Sequence, residues 1–282
     1  MKYRRSKIIN INKWLIFIIS ITVIGLTIYY STIKKEGFDN NNYLDGIDII
    51  YWINLNRSEN RRDNMKKMLK DKVFEGIPDK RIIAYDGKND TKNVYDKLII
   101  ENKKQSDTEY ACLLSHLETI RIFNDSSNNV ALIFEDDVTL EFKEYWKKSV
   151  KEIMDKAPSD WEIIMLSYIY NLDKNFLFSD WQKSDKEYDT NINNKYYSTI
   201  AYLINKKGSK KLMSMYSVDN KFLLKPGMIH AADFLIYESL ITYVYKYPMF
   251  IYKTENDSLI HEDHLNIHVK SKNKIVENFK KM

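Results

Sequence analysis

The chain has 282 residues, 44% of them apolar, which suits one large globular domain or two small ones and excludes extended disorder for most of it. Its net charge of +5 is unevenly placed: residues 1–45 carry seven of the 44 basic residues and three of the 39 acidic ones, leaving 37 against 36. A body so near neutrality gives no electrostatic case for nucleic acid as the main partner, and the single cysteine, Cys112, excludes an internal disulfide and a thiolate metal cluster.

Residues 14–30 are uncharged throughout and aromatic at both ends, near the lower length limit for a membrane-spanning helix. Five basic residues precede this stretch and Lys34 and Lys35 closely follow it. The positive-inside rule therefore puts residues 1–13 in the cytoplasm and the body in a lumen or outside. That is the layout of a single-pass type II membrane protein, and the short span suits a thin bilayer of the endoplasmic reticulum or Golgi type. Residues 27–34 lack a small-x-small cleavage site, which favours a retained signal anchor over a cleaved signal peptide. Residues 31–45, with Gly37 and the run Asn40-Asn41-Asn42, read as a polar stem, and residues 46–282 as the functional domain.

Residues 47–55 are predicted to be a strand, and Asn56-Arg57-Ser58 a turn that opens a polar helix over 59–69. At this βα junction Arg57, Arg61 and Arg62 can meet phosphate oxygens; a solvated first turn is the plain alternative, and the preferred one for Arg62. Residues 81–87 form a second short strand ending in a turn, where Asp86 either accepts hydrogen bonds from a ribose or simply fixes the turn. Ser106 and Glu109 have capping-box spacing and open a helix that runs to about Phe123. Within its apolar stretch, Ser115 and His116 are either a satisfied core pair or contacts to a ligand at the sheet edge. Cys112, in the same stretch, reads as a buried, inert thiol.

The rest of the chain is organised around residues 131–138. An apolar run breaks off into Glu135, Asp136 and Asp137, the pattern of a buried strand that delivers acid groups to the carboxyl edge of a sheet. Ligands of open α/β sheets bind at that edge. Side chains two apart on an extended chain point the same way, so Glu135 and Asp137 can converge on one cation while Asp136 faces the scaffold. Hard oxygen ligands of this kind suit Mg²⁺ or Mn²⁺; the competing reading is a solvated acidic turn. An amphipathic helix over 144–157 and a strand over 161–167 are expected next. Residues 173–194 are polar without a regular period and read as a mobile lid or acceptor loop. A strand over 197–204 and a helix from about Lys206 follow, and Asp233 opens a further helix, where capping is the plain reading. Residues 243–252 supply one or two terminal strands. The tail holds His261, His264 and His268, on one face if helical; zinc binding is conceivable there, and a surface feature is preferred. Alternating strands and helices indicate an α/β domain with a mostly parallel central sheet.

Five ordered blocks carry a family resemblance: Ile53-Asn54-Leu55-Asn56-Arg57-Ser58 with Arg61-Arg62; Ile83-Ala84-Tyr85-Asp86-Gly87; Glu109 through Ser115-His116; Ile133 through Val138; and Ala201-Tyr202-Leu203-Ile204. In these the chain resembles glycosyltransferase family 25, a group that includes lipooligosaccharide galactosyltransferases and collagen hydroxylysine galactosyltransferases. They cover residues 47–211, with Asp233 and Asn256-Asp257-Ser258 extending the match. Tyr110-Ala111 departs from the smaller residues common there. The resemblance implies a GT-A-like fold and transfer of a hexose, galactose or glucose, from a UDP-sugar to a hydroxyl of a glycan or protein, with inversion. It also implies that Glu135 and Asp137, with His261 as a third ligand, hold Mn²⁺ or Mg²⁺. Asn54, Arg57 and Asp86 would contact the nucleotide, Ser115 and His116 would line the donor pocket, and Asp233 is the candidate base for the acceptor proton. Sequons at Asn56, Asn89, Asn124 and Asn256 fit a lumenal or external body, the first expected to be unused. Two rival readings are an anchored metal-dependent phosphoesterase and a noncatalytic nucleotide-sugar-binding module.

Overall fold

Strands buried on both faces read as near-continuous apolar runs, and the first strand, β1 (Ile49–Leu55), is one broken only at Asn54: its five inner residues are all buried. It lies in a computed structural model that describes residues 20–25, 42–253 and 265–280. Met1–Asn42 forms one unit, in which residues 20–25 are helical. Among the described residues no helix is long and apolar enough to cross a membrane. The remainder of the expected anchor at 14–30 lies outside the described residues, as do His261, His264 and residues 256–258.

The second unit, Tyr43–Met282, is an α/β domain. Beside β1 its main sheet contains β2 (Asp79–Ala84), β3 (Val130–Glu135), β4 (Ile163–Met165), β5 (Tyr188–Thr190), β6 (Ala201–Asn205) and β7 (Thr242–Tyr245). Their order across the sheet is β2-β1-β3-β6-β4-β7-β5. β1 pairs in parallel with β2 and β3, and β4 with β7; β6 is antiparallel to both its neighbours and β5 to β7. Five of the seven strands thus share one direction, the mostly parallel sheet expected.

Besides a short helix at Thr91–Asp96, the helices of this unit among the described residues are α1 (Glu59–Met68), α2 (Asp107–Asn124), α3 (Val150–Lys156), α4 (Asn175–Lys183), α5 (Lys206–Tyr216), α6 (Ala232–Ser239) and α7 (Leu265–Lys280). α2 is set by a complete capping box: Ser106 accepts from the Glu109 N–H while the Glu109 side chain accepts from Ser106. It packs against β1, β2, α5 and α6, which is why it is apolar on most sides and buries Ser115 and His116.

Three segments differ from expectation. The helix predicted from Glu144 begins only at Val150, because Ser149 and Glu152 form a second capping box. Just before it, Trp146 is buried and donates its ring N–H to the Met249 carbonyl at 2.6 Å. Residues 173–194 are no lid: they hold α4 and the edge strand β5. Phe178 and Trp181, one helical turn apart, pack with Tyr168 and Tyr196 in an aromatic cluster. The body also begins before Gly46, since Leu44 is fully buried and Tyr43 meets Trp146 edge-on at 5.6 Å.

Candidate active site

The carboxyl ends of the parallel neighbours β2, β1 and β3 open into a cleft, with Asp86, Leu55 and Glu135 on its walls. Opposite them stands one face of α2: Thr108, Ala111, Cys112 and Ser115 recur at helical spacing. Gly87 makes this closeness possible. A Cβ there would lie 2.3 Å from the Asp107 carbonyl oxygen, so only glycine lets the turn after β2 meet the start of α2.

All three acids line the cleft, Glu135 as the last residue of β3 and Asp136 and Asp137 in the turn that follows. Asp136 turns back into the scaffold, accepting from Arg61 at 2.8 Å and from the Asn54 amide at 2.6 Å. Asn54 also donates to the Ser58 carbonyl (3.2 Å) and accepts from Arg81 (3.0 Å). It is 1% exposed and lies behind the cleft, where it positions Asp136 instead of meeting a nucleotide. Glu135 and Asp137 face the cleft. The acid turn is clamped by the antiparallel pairing of Val138–Thr139 with Ile251–Tyr252 and by the Lys253 N–H on the Asp137 carbonyl at 3.0 Å.

Burial, then the charge of Glu135, pushes the Asp137 carboxyl up to about 7, against the pull of Arg61. Its Oδ1 is buried with no hydrogen-bond partner. Burial pushes Glu135 upward too, but His116 and the Thr199 hydroxyl, which donates to it at 2.5 Å, win and hold it below the usual carboxylate range. His116 is 1% exposed; Nδ1 meets the Tyr202 hydroxyl at 3.0 Å and Nε2 lies 3.4 Å from Glu135 without hydrogen-bond geometry. A paired site of like charge with an orphaned carboxylate oxygen fits a divalent cation, and Glu135 and Asp137 are the hard donors for it. A softer group, Cys112, His116 and Glu135, brings ligand atoms within 4.8 Å of one another. Burial and then Glu135 push the Cys112 thiol well above its ordinary value, which makes it a poor donor beside the carboxylates.

At the mouth, Arg57 donates to Asp86 at 2.7 Å. Burial raises the Asp86 carboxyl, but Arg57, the Asn89 side chain and the N–H groups of Lys88 and Asn89 outweigh it and bring it down to about 2. Asp86 therefore both fixes its turn and anchors an arginine. Ser115 is committed: it donates to the Ala111 carbonyl (2.6 Å) and accepts from the Tyr85 N–H (2.9 Å), tying the β2 turn to α2. Arg62 bonds the Asn56 carbonyl and Glu59 away from the cleft.

A second cavity of about 450 Å³ adjoins the first, and Glu135 and Cys112 line both. Asp233 lies on its wall as the second residue of α6, whose N-cap is Ala231, so it does not cap the helix. Its carboxylate accepts from the Ser198 N–H (3.2 Å) and the Phe234 N–H (3.0 Å). Burial pushes it above its ordinary value despite those donors. Ser198 has φ of 95°, a strained setting for a non-glycine residue, held from one side by Asp233 and from the other by the Tyr237 hydroxyl on its carbonyl at 2.8 Å. The strain aims the next residue, Thr199, at Glu135. Sequence reasoning passed over Ser198, Thr199, Tyr197 and Phe234. No local pattern marks them, because a positive φ on a serine follows from its tertiary partners.

The model of glycosyltransferase family 25 (LPS biosynthesis protein) matches residues 47–236. Human procollagen galactosyltransferase 2 is 29% identical over 182 residues, which are 60% of this chain and 28% of that protein. Procollagen galactosyltransferase 1 of Danio rerio is 26% identical over the same shares. The chain thus spans little more than a quarter of the length of these relatives. A solved glycosyltransferase involved in glycosylation of the major capsid of PBCV-1 aligns with 79% of this chain and 98% of its own, at 8% identity and a TM-score of 0.32, too slight a likeness to build on. With the family segment spanning β1 through most of α6, and so both the acid turn and the Asp233 wall, the chain belongs to glycosyltransferase family 25.

Proposed function

We propose that this chain is a metal-dependent hexosyltransferase with a GT-A-like domain, which moves galactose or glucose from a UDP-sugar to a hydroxyl of a glycan or protein, with inversion. The observation that carries this reading is that a charged cleft and a largely apolar cavity meet at one carboxylate, Glu135. Transfer needs two such chambers, one for a diphosphate and one for an acceptor, joined where the sugar changes hands. Arg57 and Arg61 at the first chamber suit phosphate oxygens, and Asp86 suits a ribose hydroxyl once Arg57 turns to the phosphates. Glu135 and Asp137 would hold Mn²⁺ or Mg²⁺, which supplies neutralisation of the charge that develops on the diphosphate leaving group. Asp233 in the second chamber takes the acceptor proton; its raised affinity for a proton makes it a stronger base wherever it is ionised. The body sits in a lumen or outside, behind a type II anchor at residues 14–30.

A phosphoesterase would use the same acids but normally needs a second metal. The triad of metal-capable side chains found among the described residues includes Glu135 itself, so it adds no separate site. Release of UDP from a panel of UDP-hexoses by the full chain with Mn²⁺ tests the proposal. One hexose donor turned over, faster with a glycan or protein hydroxyl present, is the expected result; phosphate release from simple esters with no UDP-sugar turnover would overturn it.

A further inference from the structure

We infer that the second cavity is a subsite for a neutral pyranose of the acceptor, stacked on Tyr197 and Phe234 and walled by the carboxyl-terminal helix α7. This rests on the transferase reading above. The rings of Tyr197 and Phe234 lie 5.4 Å apart at 30° to each other, both half-buried on the cavity wall. Isoleucines 169, 200, 229 and 267 also line the cavity. The lining also includes three acids, Glu135, Asp233 and Glu109, the last with its carboxylate held by the Ser106 cap, and among the described lining residues there is no lysine or arginine.

That combination selects a chemistry. Flat apolar walls match the C–H face of a pyranose, and carboxylates match its ring of hydroxyl donors. Away from the ion proposed at Glu135, Asp233 faces no lysine or arginine among the described lining residues, so a phosphate, sulfate or uronate group beside it is repelled and unpaired.

The helix wall lies outside the family segment. Ile267 and His268 of α7 line the cavity, yet both lie beyond the segment 47–236 that matches the family. α7 is fastened by the Tyr252 hydroxyl on the His268 carbonyl (2.9 Å), the Tyr170 N–H on the Ser271 hydroxyl (3.3 Å) and Lys272 on Glu141 (2.6 Å). A wall so held can discriminate between sugars, so acceptor choice is assigned to a helix outside the family segment.

Ligand-observed NMR on the full chain, with and without UDP, tests this with methyl β-galactoside, methyl β-glucoside, methyl β-glucuronide and a serine tripeptide amide. Binding of at least one neutral glycoside is expected, weakened about tenfold by Phe234→Leu and Tyr197→Leu and retained by Tyr197→Phe, which keeps the ring. UDP binding should be unchanged in all three variants, whose folding is checked by melting temperature. Equal binding of the glucuronide, binding of the peptide alone, or no glycoside binding by the folded wild type would overturn the subsite. Loss of UDP binding in the wild type would condemn the donor cleft and leave the glycoside result to be judged separately.

Discussion

The charged cleft and the apolar cavity share Glu135 and Cys112 but are assembled in opposite ways. The cleft is built by strand ends: three parallel strands stop side by side and present Asp86, Leu55 and the acid turn. The cavity is built by long-range constraint: Asp233 and Tyr237 hold a strained serine before β6 against α6, and Tyr252, Tyr170 and Glu141 fasten a late helix beside them. Charge is unresolved in the first, where Asp137 keeps an orphaned oxygen, and better satisfied in the second, where Asp233 has two N–H donors. The comparison teaches that strand ends gather acids faster than they can pair them, whereas long-range packing supplies its buried acid with backbone donors.

The largest effect expected from breaking this contrast comes from Asp137→Asn. Transfer should fall about 10²–10³-fold, as when a charge-stabilising group at a transition state is removed. Metal-free stability should rise instead. The Asp137 carboxyl is raised in the fold, so its share of stability is present below its unfolded value and lost as pH rises towards about 7. Thermal melts from pH 4 to 7 should show that decline in the wild type and a smaller one in the variant.

Asp233→Asn comes next. The asparagine oxygen still accepts from the Ser198 N–H, so the fold should persist while kcat drops about 10²-fold from loss of a base. Asp233→Ala also releases the strained serine, so a melt lower than that of the asparagine variant by about 1 kcal/mol in stability is expected. Equal kcat in wild type and Asp233→Asn would remove Asp233 from proton transfer.

Gly87→Ala tests how the cleft is closed. A methyl group driven against the Asp107 carbonyl should cost about 2 kcal/mol and raise the donor KM while leaving the cavity's glycoside binding intact. The smallest effect belongs to the mouth. Asp86 is lowered to about 2, so its stabilisation is present above its ordinary value of 3.8 and lost as pH falls through about 2. Arg57→Ala should shrink that acid-side loss, by under about 1 kcal/mol for so exposed a pair, in acid titrations followed by circular dichroism.

The same contrast explains what the sequence disclosed. β1, β2, β3 and the capped helix α2 are legible because apolar runs, turn residues and the Ser106–Glu109 spacing are local signals. The acid triplet is legible as the end of a buried apolar strand; that Asp136 is drawn off by Asn54 and Arg61 is not, because the acids after Glu135 lie in a turn where strand alternation has ceased. Asn54 misled because β1 is buried on both faces: proximity to the strand end did not say that its amide is spent on Asp136. The segment 173–194 misled because polar residues mask the turn-spaced pair Phe178 and Trp181, whose partners Tyr168 and Tyr196 lie outside α4. The cavity was invisible because its walls come from residues 105–112, 169, 197–200, 229–234 and 267–268, and no spacing in the chain announces that they meet.

The central claim is that Glu135 and Asp137 hold a divalent cation that a UDP-sugar completes, and the most direct measurement is calorimetric titration of the full chain. UDP-galactose and UDP-glucose are titrated with and without Mn²⁺, into wild type and Asp137→Ala. One donor should bind the wild type with Mn²⁺ at least tenfold more tightly than without it, and the variant should lose that gain. Tight binding that ignores both the ion and the substitution would contradict the account.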